Sequence, residues 1–275
     1  MRFVMLTCLL IVTLLLGCGK NSEKLVKQFA PPEDEAKATN YIALLRQGNY
    51  EAIQKDSDPG FTNTDTRNML VKMAALIPSQ EPKSVKTVGA QQNWNNGVYK
   101  IYLSYEYEFP TNWILISLVL QGTGENRTIN GFHVRLLPDS LENLNRFTFT
   151  GKNLFQDMIF ASAVLIPIFI LFALVLCIYT KMAKRKWPWI VFILFGFGEI
   201  TVNWTTGQWQ FGLLHFQLFG VGAFAPPFGA WLITVSVPLG AIIFVLKRKE
   251  LMVQPEVMSD DAKSSGDPDP KPNPH

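Results

Sequence analysis

Residues 158–246, 89 in a row, hold only five charged side chains, and four of these are Lys181, Lys184, Arg185 and Lys186. Soluble domains place about a quarter of their residues in Asp, Glu, Lys and Arg. This stretch therefore cannot form the surface of one, and the chain cannot be a single soluble domain. Residues 19–157 carry 30 of the chain's 47 charges, 15 of each sign. The formal net charge of +3 is accordingly no basic face, which excludes a nucleic-acid binder.

The apolar stretch divides into three runs. Met158 to Tyr179 is 22 residues without a charge, long enough for a membrane helix, and bilayers tolerate Pro167 within it. Trp187 to Trp204 carries aromatic anchors at both ends, and Gly229 to Leu246 runs into Lys247, Arg248 and Lys249. The expectation is three transmembrane helices at 158–180, 187–204 and 229–246. A loop at 181–186 and an aromatic interfacial segment at 205–228 join them. Basic residues mark the cytoplasmic side. The 181–186 loop and the 247–275 tail are thus expected there, and an odd number of spans places 19–157 outside. Five prolines among Asp, Ser and Lys from Met252 onward predict a disordered tail.

The start of the chain points the same way. Met1 and Arg2 precede the apolar run Phe3 to Leu16, too short for a comfortable span and suited to a signal peptide at 1–17. Leu15-Leu16-Gly17-Cys18 resembles the lipobox of bacterial lipoproteins. The resemblance implies a diacylglyceryl thioether on Cys18, cleavage before it, and acylation of the new N-terminus. Gly19 would by the same likeness permit sorting to the outer membrane. Helical bundles belong to the inner membrane, however, so that is the expected location, with 19–157 periplasmic.

Cysteine and histidine usage narrows the chemistry. Cys8 lies in the signal, Cys18 is the lipid site and Cys177 is in an apolar run, so no pair remains for a disulfide. His133, His215 and His275 lie far apart without metal-ligand spacing. No cofactor is expected beyond the covalent lipid.

The exported part reads as α+β, with N-terminal helices packed on an antiparallel meander sheet over 33–138, between a lipidated tether at 18–32 and a connector at 139–157. Pro32-Glu33-Asp34-Glu35 starts a helix that Gly48 ends. Tyr50 to Lys55 adds a turn or two, and Thr64 to Ile77 forms another helix that Pro78 stops. The period then becomes two, with a weak strand at 84–93 and a hairpin turn at Asn95-Asn96-Gly97. Tyr99 to Phe109, Trp113 to Gln121 and Arg127 to Leu137 follow as strands. This element order resembles the cystatin-like folds that include NTF2-like domains. That likeness implies an enclosed pocket, and in some members an enzymatic one.

No catalytic motif is present. Glu106, Glu108, His133 and Arg135 share the polar register of the sheet, where they form either a ligand-facing group or a solvated face with cross-strand pairs. Glu199 is the one acid within an expected span. It is read as an interfacial group near Trp204 or as a proton or ligand handler. Trp209 and His215 are candidate contacts in the outer loop. The leading expectation is a non-catalytic inner-membrane lipoprotein whose domain binds a protein, peptide or envelope component, with membrane lipid as its other partner. Two alternatives stay open: a transport or envelope-assembly subunit acting through Glu199 and the 203–217 loop, and an exported NTF2-like enzyme.

Overall fold

The computed structural model describes residues 22–59, 64–122, 126–182 and 185–252. The signal segment, Cys18, Lys184 and the tail from 253 lie outside the described residues. The chain divides into two units. The first comprises the described residues up to Asp157 together with 202–209 and 223–233. The second comprises 158–201, 210–222 and 234–252.

The first unit is α+β. Its helices are α1 (Ser22–Lys27), α2 (Pro32–Arg46), α3 (Tyr50–Lys55) and α4 (Thr64–Ala75). The stretch read as a tether thus contains a helix, which buries Val26. Proline in the first turn and three acids over its positive end start α2. Gly48 turns the chain out of it at a φ of 72° that a residue with a Cβ adopts at a cost. Asn49 then caps α3 by accepting the Ala52 N–H.

The meander follows as β1 (Ser84–Asn95), β2 (Val98–Glu108), β3 (Trp113–Gln121) and β4 (Thr128–Leu137), paired antiparallel in chain order. Asn96 and Gly97 both take positive φ, the backbone that a two-residue hairpin needs. Alternation does the rest. Tyr99, Ile101, Leu103, Tyr105 and Tyr107 of β2 point inward with Ile114, Ile116, Leu118 and Leu120 of β3. They pack against Ala38, Tyr41, Ile42, Leu45, Ile53, Leu70 and Met73 of the helices. Beyond β4, α5 (Leu141–Leu144) begins the connector.

The second half of the chain departs from expectation. Helix α6 (Leu154–Tyr179) is, among the described residues, the one helix long and apolar enough to cross a membrane. The runs 187–204 and 229–246, expected as membrane helices, are each part helix and part strand. Helix α7 (Trp187–Leu194) stops where β5 (Phe195–Asn203) starts. Gly196 and Gly198 weaken a helix there, and a Cβ on Gly196 would meet Ser236 and Gly220. In the other run β8 (Leu232–Val237) gives way at Pro238 to α8 (Leu239–Leu251). Proline has no N–H to donate into a preceding turn and drives Val237 toward extended backbone. The expected interfacial loop 205–228 contains β6 (Trp209–Leu218) and β7 (Val221–Phe224).

These strands form a second sheet in the order β6-β5-β8-β7. Thr201 bonds to Thr234 across β5 and β8 at 2.8 Å. In the second unit Ile170, Ala173 and Cys177 of α6 pack with Ile193, Ala241 and Phe244. Much of α6 stays exposed, including Leu165, Ile168, Leu171 and Phe172.

Candidate functional site

The residues singled out on the first sheet all lie on the face turned away from the helices, but they do not converge. Register places Leu115 between Glu106 and Arg135, and Trp113 beside Glu108. Side chains two strands apart are about 10 Å from one another, so no carboxylate–histidine pair forms on this face. Glu106 is 1 % exposed and accepts the backbone N–H of Leu141 at the start of α5. Burial pushes its carboxyl up, opposed by the Leu141 hydrogen bond and by Lys86, its cross-strand neighbour. Glu108 accepts from Ser84 at 2.9 Å. Residues 139–141 thus close one end of the face.

The open end is built from small and hydroxylic residues. Gly89, Ser104, Ser117 and His133 form one row across the four strands, with Ser104 and Ser117 bonded at 2.8 Å. Exposed Tyr102 flanks the row on one side, and His133 and Arg135 stand exposed at its β4 end. A shallow floor edged by an aromatic ring and two nitrogen-rich side chains suits a polypeptide or an extended polar ligand better than an enclosed small molecule.

Behind the sheet lies a charge cluster with no short-range sequence signal. Asp34 in the first turn of α2 is wholly buried and pairs with Arg127, which also reaches Glu33 at 3.0 Å. The Arg127 guanidinium stands 5.3 Å from the centre of the Tyr99 ring. Burial pushes the Asp34 carboxyl up, and Arg127 opposes that rise. Glu35 completes the group by accepting from Thr87 at 3.0 Å.

A further cluster in the first unit centres on Trp204, expected only as the anchor ending a span. Its indole N–H donates to the Thr148 carbonyl at 2.8 Å. Its own carbonyl accepts from Lys152 and Gln156, each at 2.7 Å. Its ring stacks on Phe147 at 5.2 Å. The connector 139–157 is thereby fastened to residue 204. The alternation of Phe147 and Phe149 with threonines was the available signal. Trp209, also in this unit, meets Phe155 at 6.0 Å and is otherwise largely exposed.

In the second unit the structure does bring two expected residues together. His215 Nε2 lies 3.4 Å from a Glu199 carboxylate oxygen, across β6 and β5. Gly212 makes the room, since a Cβ there would stand 3.0 Å from Glu199. Among the described residues no group of three or more His, Cys, Asp or Glu is placed to hold a metal ion. No protein-family model matches this chain, and no curated protein or solved structure does either.

Proposed function

We propose that the protein is a bacterial inner-membrane lipoprotein that holds a small α+β domain at the periplasmic surface to bind a protein, peptide or envelope component. Its anchors in this reading are lipid at Cys18 and helix α6, with the basic 181–186 segment and the C-terminus in the cytoplasm. The observation that carries it is that a packed α+β core is followed, after the connector, by the 26-residue apolar helix Leu154–Tyr179. A domain tied at both ends cannot extend far, which suits an accessory subunit or scaffold. The binding face in this reading is the open row Gly89, Ser104, Ser117 and His133 with Tyr102.

Two measurements test the proposal. Fatty-acid labelling of the full chain is lost in Cys18→Ser, while α6 keeps the variant in the membrane through an alkaline wash. A photo-crosslinking residue at Tyr102 or His133 gives a discrete protein adduct in intact cells, and one at Lys72, on α4, does not. Continued labelling of Cys18→Ser removes the lipoprotein assignment. Absence of any adduct at both sheet-face positions removes the binding role.

A second reading, a membrane transport or assembly subunit, is favoured by the Glu199–His215 contact. Glu199 is the sole Asp, Glu, Lys or Arg in residues 187–246, and a titratable pair in so apolar a stretch is a functional candidate. In that case Glu199→Gln abolishes function while substitutions on the first sheet are silent.

A further inference from the structure

At one end of the second unit, two stretches far apart in sequence come together. Met182 and Met252 form an antiparallel bridge. Arg248 on the last turn of α8 donates to the Thr180 hydroxyl at 2.9 Å, just past the end of α6. Lys186 donates to the Ile178 carbonyl at 2.7 Å, among the carbonyls that the last turn of α6 leaves open. Lys181, Arg185 and Lys186 of one segment therefore share this end with Lys247, Arg248 and Lys249 of the other. Against these six cations the two segments set one acid, Glu250. No carboxylate forms an ion pair with any of the six among the described residues.

Like charges repel, so the gathering of six cations needs a counter-charge. Two of the six are held in place by hydrogen bonds to α6 and its flank, while Lys181, Arg185, Lys247 and Lys249 point to solvent. We propose that this end of the unit is a binding site for the phosphate of an anionic phospholipid headgroup, of the phosphatidylglycerol class. The proposal rests on the reading that α6 crosses the bilayer. Tyr179, its last residue, is 80 % exposed beside the cations, the setting of an aromatic ring at the headgroup level. Phosphate oxygens accept from both guanidinium and ammonium groups. An anionic leaflet supplies them at the plane where an apolar helix ends.

The test uses the full chain reconstituted in vesicles of phosphatidylcholine alone and of phosphatidylcholine with phosphatidylglycerol. Lipid that stays bound after detergent extraction is identified by native mass spectrometry. Phosphatidylglycerol is expected to be enriched over its share of the bilayer. The Lys181→Gln/Arg185→Gln/Lys247→Gln/Lys249→Gln variant loses that enrichment, by about fivefold per cation removed. The double variant Lys181→Gln/Arg185→Gln, outside any helix, loses part of it. Replacing Lys181, Lys247 and Lys249 by arginine preserves it, as does the charge-matched control Lys72→Gln/Lys83→Gln in the first unit. Stable insertion with no enrichment, or equal loss in the control, overturns the site alone. Release of the protein from phosphatidylcholine vesicles by an alkaline wash overturns the spanning reading and the site with it.

Discussion

The Asp34 carboxylate is wholly enclosed and lies against the Arg127 guanidinium, which is itself nine-tenths buried. An ion pair out of water stabilises little in net terms, because desolvation offsets the attraction. Its loss on one side is another matter, since the buried Arg127 charge would then face only the largely exposed Glu33. Asp34→Asn is expected to cost about 3–5 kcal/mol. Asp34→Asn with Arg127→Met should recover part of it. Thermal unfolding of the purified protein checks both, and a double variant no better than the single one would contradict the account.

Glu106 predicts a pH effect. Burial raises its folded pKa above the unfolded value of about 4.3. Between those two values the folded chain binds more protons than the unfolded one, so stability falls as pH rises. The contribution is complete below the unfolded pKa and is lost as pH passes the folded one. Melting temperatures measured from pH 4 upward should therefore show a steeper decline in the wild type than in Glu106→Gln.

Trp204 fastens the connector through its ring, its N–H and its carbonyl. Trp204→Ala removes the ring and should cost roughly 3–5 kcal/mol. Trp204→Phe keeps an aromatic against Phe147 and gives up the bond to Thr148, about 1 kcal/mol. Limited proteolysis between 145 and 153 reads the difference, with cleavage fastest in the alanine variant.

Gly240 is held against the backbone of α7, where a Cβ would collide with the Phe192 carbonyl. Backbone cannot yield as a side-chain tip does. Gly240→Ala should therefore break the packing of α8 on α7 and lower the yield of folded protein. An alanine variant that melts like the wild type would refute the close approach.

Local rules explain why the first unit was largely readable. The turn at Asn96 and Gly97, the stop at Gly48 and the alternation along β2 each act over a few residues, so sequence alone displays them. The Asp34–Arg127 pair joins the first turn of α2 to the segment before β4, and no local pattern announces it. The 187–204 and 229–246 runs differ from expectation for another reason. Apolar length predicts helix, yet a short apolar run is equally compatible with a buried strand. Gly196, Gly198 and Pro238 were the arbiters. Glu199 and His215 lie 16 residues apart, and only the pairing of β5 with β6 makes them neighbours.

Helix α6 carries Pro167, which has no N–H to give the Ala163 carbonyl. One turn earlier, the Ser162 hydroxyl draws on the Met158 carbonyl at 2.8 Å, a bond that bends helices. If α6 crosses a bilayer, as proposed above, its 22 uncharged residues Met158–Tyr179 rise about 33 Å at ~1.5 Å per residue, against a hydrocarbon core of roughly 30 Å. In that setting a straight helix would meet a thinner bilayer by tilting as a whole. A helix that yields between Ser162 and Pro167 can shorten its vertical reach instead. Its fit to thin and thick bilayers should then be broad, and Pro167→Leu should narrow it.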